Sequence, residues 1–163
     1  MLTPNAMPKI ALSIVDYRRL NSRQQENYNF QKVSAILADY GFATLRLSDD
    51  WKGADFIANH IDGNLFLRVQ LKGVLTVDSK YHGKEIWICF RRKETWYLYP
   101  HDDFLQWALV NTNIKNTRGW ELAADGTLKR GKYTWPSPSK KIMAWLEGFA
   151  LTEQSSGPAK AGR

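Results

Sequence analysis

The sequence has a single cysteine among 163 residues, so it has neither a pair for a disulfide nor the thiolates of a cysteine zinc site. Cys89 lies inside the apolar run 86–90, which is typical of a small core residue in a reducing compartment. The three histidines lack the spacing of zinc ligands. No apolar run approaches the roughly 20 residues that cross a bilayer, and no basic segment followed by an apolar run opens the sequence. We therefore expect a soluble cytoplasmic protein that does not contact a membrane.

The composition suits one compact domain that binds a polyanion. Hydrophobic residues make up 44% of the chain, which is enough for a core, and the length leaves no room for a second full domain. Lys and Arg number 23 against 16 acidic residues, giving a net charge of +7. A basic surface favours nucleic acid as a partner. No helix-turn-helix, zinc finger or leucine zipper is recognisable, so sequence-specific recognition of DNA by one of these motifs is not expected.

The segment 65–72 alternates strictly between apolar and polar residues, which predicts a strand with one buried face. Because side chains repeat every two residues along a strand, Gln70 and Lys72 share the other face. Asp55 lies fifteen residues before Gln70, and the sequence Asp62-Gly63-Asn64 predicts a tight turn between two strands. The resulting hairpin brings Asp55 beside Gln70 and Lys72.

This pattern over residues 22–110 resembles the PD-(D/E)XK nucleases, in the variant that carries Gln at the second acidic position. The resemblance implies a restriction-endonuclease-like α/β fold, a central mixed β-sheet flanked by helices. It also implies a divalent ion, Mg²⁺ or Mn²⁺, held by Asp55 and Gln70, and a role for Lys72 in assisting the attacking water. An acidic residue on the preceding helix often completes such a site.

Glu26 is the expected helical acid. Ser22 and Gln25 have the form of a capping box that opens a helix to Tyr40, and Gly41 is its stop. Glu26 lies one turn before Phe30, at the edge of the apolar stripe, so we expect it to face the core and to need a partner or a metal. Since Mg²⁺ prefers oxygen ligands, Asp55, the Gln70 side-chain oxygen, the Leu71 carbonyl and Glu26 form the expected shell. Gln70 removes one negative charge and lowers the expected metal affinity.

Other interpretations of these residues remain open. Asp78-Ser79-Lys80, with Asp62 upstream, also fits the motif, but it lies near a loop-like segment rather than at the end of an amphipathic strand. Asp55 could bind a turn amide. Gln70 and Lys72 could line the solvated face of an edge strand. A first-turn Glu26 could simply interact with the helix dipole.

The rest of the chain supplies candidate nucleic-acid contacts. We expect one nuclease-like domain at 1–151, opening on a short arm at 1–12, with a core at 22–110, a basic aromatic hairpin at 111–138 and a closing helix at 139–150. A disordered tail is expected at 152–163. The remaining core elements are expected as strands at 42–48, 54–61, 86–90 and 96–99, and as a helix capped by Asp102 or Asp103. Basic side chains neutralise phosphates and aromatic rings stack on bases. The expected contacts on the hairpin are Lys115, Arg118, Lys129, Arg130 and Lys132, alongside the aromatic residues Trp120, Tyr133 and Trp135. A second expected set consists of Lys80, Tyr81, Lys84, Arg91 and Arg92, although charged turns usually face water. The alternative is a solvated hairpin whose aromatic residues pack on the domain.

Three functions compete on these observations. The leading prediction is a metal-dependent DNA endonuclease, for which a two-fold homodimer would let two sites face opposite strands. The second is a nucleic-acid-binding module of the same fold without cleavage. The third is a protein-interaction adaptor whose seven tryptophans mark a partner surface.

Overall fold

The structure is a computed structural model that describes residues 12–152, without the side chain of Asp50. The expected arm at 1–12 and the expected tail lie almost wholly outside the described residues. Thr152 was expected to begin the tail, but its backbone N–H donates a hydrogen bond of 2.9 Å to the Tyr40 hydroxyl. That contact ties the end of the described chain to the first helix.

Within this range the chain forms both helices and strands, with six strands in succession between the first two α-helices. Their bounds are α1 Ser22–Asp39, β1 Phe42–Trp51, β2 Ala54–His60, β3 Phe66–Lys72, β4 Leu75–Asp78, β5 Ile86–Arg92, β6 Thr95–Pro100, α2 His101–Asn111, β7 Trp120–Leu122, β8 Leu128–Trp135, α3 Lys140–Leu146 and β9 Ala150–Leu151. None of the helices within residues 12–152 is both long and apolar enough to span a membrane.

A six-stranded sheet in the order β1-β2-β3-β5-β6-β9 forms the centre of the fold. The pairing of β3 with β5 is parallel and the other pairings are antiparallel, so the sheet is mixed. The predicted fold class, a central mixed sheet flanked by helices, is confirmed. Because β3 lies between β2 and β5, the interpretation of Gln70 and Lys72 as an edge-strand surface is wrong.

Helix α1 covers one face of this sheet. Its N-cap is Asn21, whose side chain forms a reciprocal capping box with Gln24, so the predicted box of Ser22 and Gln25 is displaced by one residue. Val33, Ile36 and Leu37 are buried against a cluster that includes residues of β2, β3 and β5. The predicted stop at Gly41 is consistent with its φ of 80°, which favours glycine after a helix.

The opposite face packs against α2, α3 and a second sheet in the order β4-β8-β7. Strand β4 and its pairing with β8 were not predicted, whereas the β7–β8 hairpin and the closing helix were.

Helix α2 begins after Pro100 without a side-chain cap, so the predicted cap by Asp102 or Asp103 is wrong. Asp102 instead accepts a hydrogen bond of 2.9 Å from the Gly83 backbone N–H. Cys89 is buried as predicted, and its burial raises the pKa of the thiol.

Candidate active site

The open end of the β2–β3 hairpin gathers the residues of the predicted motif. Strands β2 and β3 are antiparallel with Phe56 opposite Val69, and continuing this register places Asp55 opposite Gln70. The turn at the other end holds Gly63 at a φ of 75°, and the Asn64 backbone N–H donates to the Asp62 carboxylate over 2.8 Å. The predicted turn therefore sets the register that brings Asp55 and Gln70 together.

The Asp55 carboxylate is held by two donors from β3. Its Oδ2 accepts a hydrogen bond of 2.7 Å from the Leu71 backbone N–H. The same oxygen accepts a short hydrogen bond from the Gln70 side-chain amide. Gln70 Nε2 also donates to the Leu71 carbonyl oxygen over 3.2 Å. One amide nitrogen thus lies between a carboxylate oxygen and a carbonyl oxygen.

This arrangement fits a divalent cation when the Gln70 amide is turned over. The Gln70 amide nitrogen donates to Asp55 Oδ2 and to the Leu71 carbonyl oxygen, and both oxygens belong to the expected metal shell. Rotating the amide group by about 180° exchanges Nε2 and Oε1, so that a third oxygen faces the other two. The oxygen donors suit Mg²⁺ or Mn²⁺. Within residues 12–152, no group of three His, Cys, Asp or Glu side chains is placed to hold a metal. The donor set therefore depends on an amide and a backbone carbonyl.

Lys72 is fixed by a residue that the motif does not contain. Its Nζ donates a hydrogen bond of 2.7 Å to the Tyr81 hydroxyl and lies 5.0 Å from the centre of the Tyr81 ring. Tyr81 is only 1% exposed, so its predicted role as a nucleic-acid contact is corrected: a buried ring cannot stack on a base. Lys80 Nζ also lies over this ring, 4.8 Å from its centre. The ammonium groups of Lys72 and Lys80 therefore both lie close to the Tyr81 ring.

Two further residues hold the Tyr81 ring in place. A Cβ atom at Gly53 would lie 2.8 Å from the ring, so only glycine permits this close approach. The His101 ring meets Tyr81 edge to face, with 5.5 Å between the ring centres. His101 is fully buried, with Nδ1 2.8 Å from the Asp102 carboxylate and Nε2 3.2 Å from the Asp78 backbone N–H. The tautomer with the proton on Nδ1 satisfies both partners.

Burial lowers the pKa of His101, although the hydrogen bond with Asp102 acts in the opposite direction. Burial tends to raise the pKa of Asp102, but the hydrogen bonds from His101 and Gly83 outweigh it and leave that pKa below its ordinary value. A neutral histidine beside an ionised aspartate is the resulting state. Sequence reasoning missed His101 because a single histidine after Pro100 carries no recognisable signal.

Glu26 lies near the motif but does not face the core as predicted. Its side chain is 51% exposed, and its carboxylate forms a 2.6 Å ion pair with Arg46 on β1. Glu26 also lines a cleft of about 190 Å³ together with Leu71 and Lys72. The structure therefore places it on the rim of the site with a protein partner already bound.

The competing motif is built differently. The Asp78 carboxylate accepts a hydrogen bond of 3.1 Å from the Lys80 backbone N–H and caps the short 3₁₀ helix Ser79–Tyr81. Asp62 lies at the turn end of the β2–β3 hairpin, where its carboxylate pairs with His60. Each of these two aspartates thus has a local structural partner.

Most of the predicted nucleic-acid contacts are exposed, but the hairpin aromatics are not. Trp120 is buried and cannot stack on a base. Tyr133 and Trp135 are partly buried against the core, and Trp135 also lines a surface cleft with Gly73 and Arg91. The Glu121 carboxylate pairs with Lys129 at 2.8 Å and with Arg130 at 2.6 Å. The exposed basic residues from the predicted set are Lys80, Lys84, Lys115, Arg118, Lys129, Arg130 and Lys132.

Similar architecture occurs in solved nucleases. Hjc, a Holliday junction resolvase from the archaeal hyperthermophile Archaeoglobus fulgidus, is 14% identical over 71% of this chain and 91% of its own, with a TM-score of 0.41. A bacterial homing endonuclease is 13% identical over 78% of this chain and 88% of its own, with a TM-score of 0.46. At these identities and TM-scores the likeness assigns no activity, substrate or residue role to this chain. No protein-family model and no curated protein matches the sequence.

Proposed function

We propose that the protein is a metal-dependent endonuclease that hydrolyses phosphodiester bonds in DNA. The observation that carries the proposal is the convergence of the Asp55 carboxylate, the Gln70 amide and the Leu71 carbonyl at one end of the β2–β3 hairpin, with Lys72 next along β3. Positioning and charge stabilisation are the main requirements of phosphodiester hydrolysis. This group of side chains offers both.

Asp55, Gln70 and the Leu71 carbonyl are the proposed metal ligands, and Glu26 is proposed to join them or to hold a water. When bound, Mg²⁺ or Mn²⁺ would lower the pKa of a water and stabilise the charge that develops on the phosphate. The Leu71 N–H fixes the Asp55 carboxylate by a hydrogen bond, so this metal ligand is already in position before a metal binds. Glu26 would need to exchange its partner Arg46 to take part.

Lys72 is proposed to orient the attacking water. An ammonium held by the Tyr81 hydroxyl keeps further N–H donors for a water or a phosphate oxygen. As the water attacks phosphorus, the bond to the leaving sugar oxygen breaks; the water loses a proton and the leaving oxygen gains one. A positioned cation beside that phosphate favours the charge of the transition state.

The second candidate is a nucleic-acid-binding module of the same fold that does not cleave. The amide at position 70 favours it, because Asp55 is then the one carboxylate of the motif on the hairpin. The adaptor hypothesis has less support. Trp51 is the exposed tryptophan of the seven, and the other six are buried or half-buried.

Cleavage of a mixed DNA panel tests the proposal. Supercoiled plasmid, single strands, branched DNA and flap DNA are incubated with Mg²⁺, Mn²⁺ or EDTA. Asp55→Asn keeps an acceptor for the Leu71 N–H, and Lys72→Ala removes the ammonium; both should abolish metal-dependent cutting. Asp103→Asn and Lys140→Ala, at exposed sites, serve as matched controls. If DNA binds equally well in EDTA and no form cuts it, the binding module is the correct function.

A further inference from the structure

Three clefts join into one groove around Gly73, the residue that follows β3. The cleft that holds Glu26 shares Lys72 and Gly73 with a second cleft of about 220 Å³. The second shares Gly73, Arg91 and Lys93 with a third of about 210 Å³. We call the surface formed by these three clefts the Gly73 groove. It runs from the rim of the candidate site to the turn between β5 and β6.

The Gly73 groove is strongly basic. Its lining cations are Lys72, Arg91, Arg92 and Lys93. Glu26 is the acidic residue among the described lining residues, and its charge is already offset by Arg46. A concave surface with one sign of charge concentrates oppositely charged ligands. The groove therefore suits a chain of phosphates.

Arg91 is placed to bind one of these phosphates. It lines two of the clefts that form the groove and also borders an adjoining cleft of about 500 Å³. Within residues 12–152, its buried Nε has no hydrogen-bond partner, while its Nη2 pairs with Glu94. The Glu94 side chain is 90% exposed, and an ion pair with so exposed a partner is weak. Release of Glu94 would let the guanidinium turn its Nε and Nη donors to a phosphate in the bidentate manner that arginine favours.

Gly73 keeps the middle of the groove open. A Cβ atom built there meets no heavy atom within 4 Å, and the φ of Gly73 is outside the left-handed range. The backbone therefore does not require glycine at this position, but a side chain would project into open space at a residue that lines all three clefts. The open position lies directly after Lys72.

We propose that the Gly73 groove holds the sugar-phosphate backbone of the nucleic-acid strand, with Arg91 as the ligand of a phosphate that neighbours the one at Lys72. Only the placement of the scissile bond at Lys72 rests on the proposed function. Most of the contacts predicted from the sequence lie in the segment 111–138 and beside Tyr81, but Arg91 and Arg92 of the second predicted set line the groove. The proposed contact surface lies at the end of β3, between α1 and the β5–β6 turn.

Binding without cleavage tests this inference. Fluorescence anisotropy measures the affinity of labelled single-stranded and duplex oligonucleotides in EDTA at several salt concentrations. Gly73→Phe should fill the groove and weaken binding about tenfold or more, without lowering the melting temperature. Arg91→Gln should reduce the slope of log K against log salt by roughly 0.7 for a single strand or 0.9 for a duplex, the value of one phosphate contact.

Two controls match these variants. Gly148→Phe adds the same side chain at another glycine whose Cβ position is open. Lys140→Gln removes one exposed positive charge on α3. Both should bind as the wild type does. Wild-type affinity and salt slope in Gly73→Phe and Arg91→Gln would overturn the inference. Because EDTA prevents metal-dependent cleavage, intact groove binding with no cutting in Mg²⁺ would count against the proposed function and leave the groove established.

Discussion

The Lys72 ammonium donates a hydrogen bond of 2.7 Å to the hydroxyl of Tyr81, a residue nine positions later that is almost completely buried. Because Tyr81 also touches His101 and leaves no room for a side chain at Gly53, the position of Lys72 depends on three separate segments. Long lysine side chains lose much conformational entropy when they are held in one place. The hydrogen bond with the buried Tyr81 hydroxyl offsets part of this entropy loss.

Replacing Tyr81 by Phe should release Lys72 while keeping the ring. A hydrogen bond with a charged group contributes about 1.5–3 kcal/mol, so we expect single-turnover cleavage to fall by about tenfold or more with little change in DNA affinity. Tyr133→Phe, in the hairpin, is the matched control. Titration of the Lys72 Nζ resonance by NMR reports on the contact even if the protein does not cut DNA. An unchanged Nζ resonance and an unchanged rate in Tyr81→Phe would show that the hydroxyl does not position Lys72.

Replacing Gln70 by Glu should lower the stability of the metal-free protein and raise its affinity for a divalent metal. The Gln70 amide now donates to the Asp55 carboxylate, and a second carboxylate would meet it with like charge. In EDTA we expect the free energy of unfolding to fall by about 1–3 kcal/mol, because the half-buried Asp55 carboxylate loses its amide donor and meets a like charge instead. Mg²⁺ should then raise the melting temperature of this variant more than that of the wild type.

Gln106→Glu adds the same charge at an exposed position on α2 and should change neither quantity. Equal stability of Gln70→Glu and wild type in EDTA would mean that the Gln70 amide is not a significant partner of Asp55. Thermal unfolding followed by circular dichroism, repeated across a Mg²⁺ titration, measures both effects.

The parts of the site that depend on local pattern were predictable. Alternation gave β3, and the turn Asp62-Gly63-Asn64 fixed the register that places Asp55 opposite Gln70. The parts that depend on distant contacts were not. Leu75 pairs with Trp135, sixty residues later, and no periodicity in the four residues of β4 reveals that partner.

Tyr81 shows the same limit for a single side chain. It stands between Lys80 and His82 in the sequence, which is typical of an exposed loop, yet it lies in the core. Likewise, the helical position of Glu26 was predicted, but its partner Arg46 comes from a neighbouring strand. Local patterns identify which residues carry chemistry, whereas the partners that orient them come from packing.

Stability should fall as the pH drops below the ordinary pKa of histidine, about 6.5. Burial lowers the pKa of His101 in the folded protein, so the unfolded chain binds the additional proton first as the pH falls. The contribution of neutral His101 is fully present above this pH and is lost progressively below it, with a slope of up to about 1.4 kcal/mol per pH unit. Asp102, Asp78 and His82 are the charged or titratable groups that act on it.

Urea unfolding between pH 5 and pH 8 measures this effect. His101→Gln should flatten the dependence at the cost of some stability at neutral pH. If His101→Gln keeps the full slope, the dependence comes from other groups.

Replacing Gly53 by Ala should displace Tyr81 and thereby disturb Lys72. Gly53 has a φ of 92°, and an added Cβ would lie 2.8 Å and 2.9 Å from two carbon atoms of the Tyr81 ring. Gly83→Ala separates the two causes, because Gly83 has a φ of 70° but open space around its Cβ position. The backbone term alone costs about 1–2 kcal/mol, so Gly53→Ala should lose clearly more stability than Gly83→Ala. Equal losses in urea unfolding would mean that the ring moves aside freely. In that case Tyr81 could not hold the Lys72 ammonium in one position.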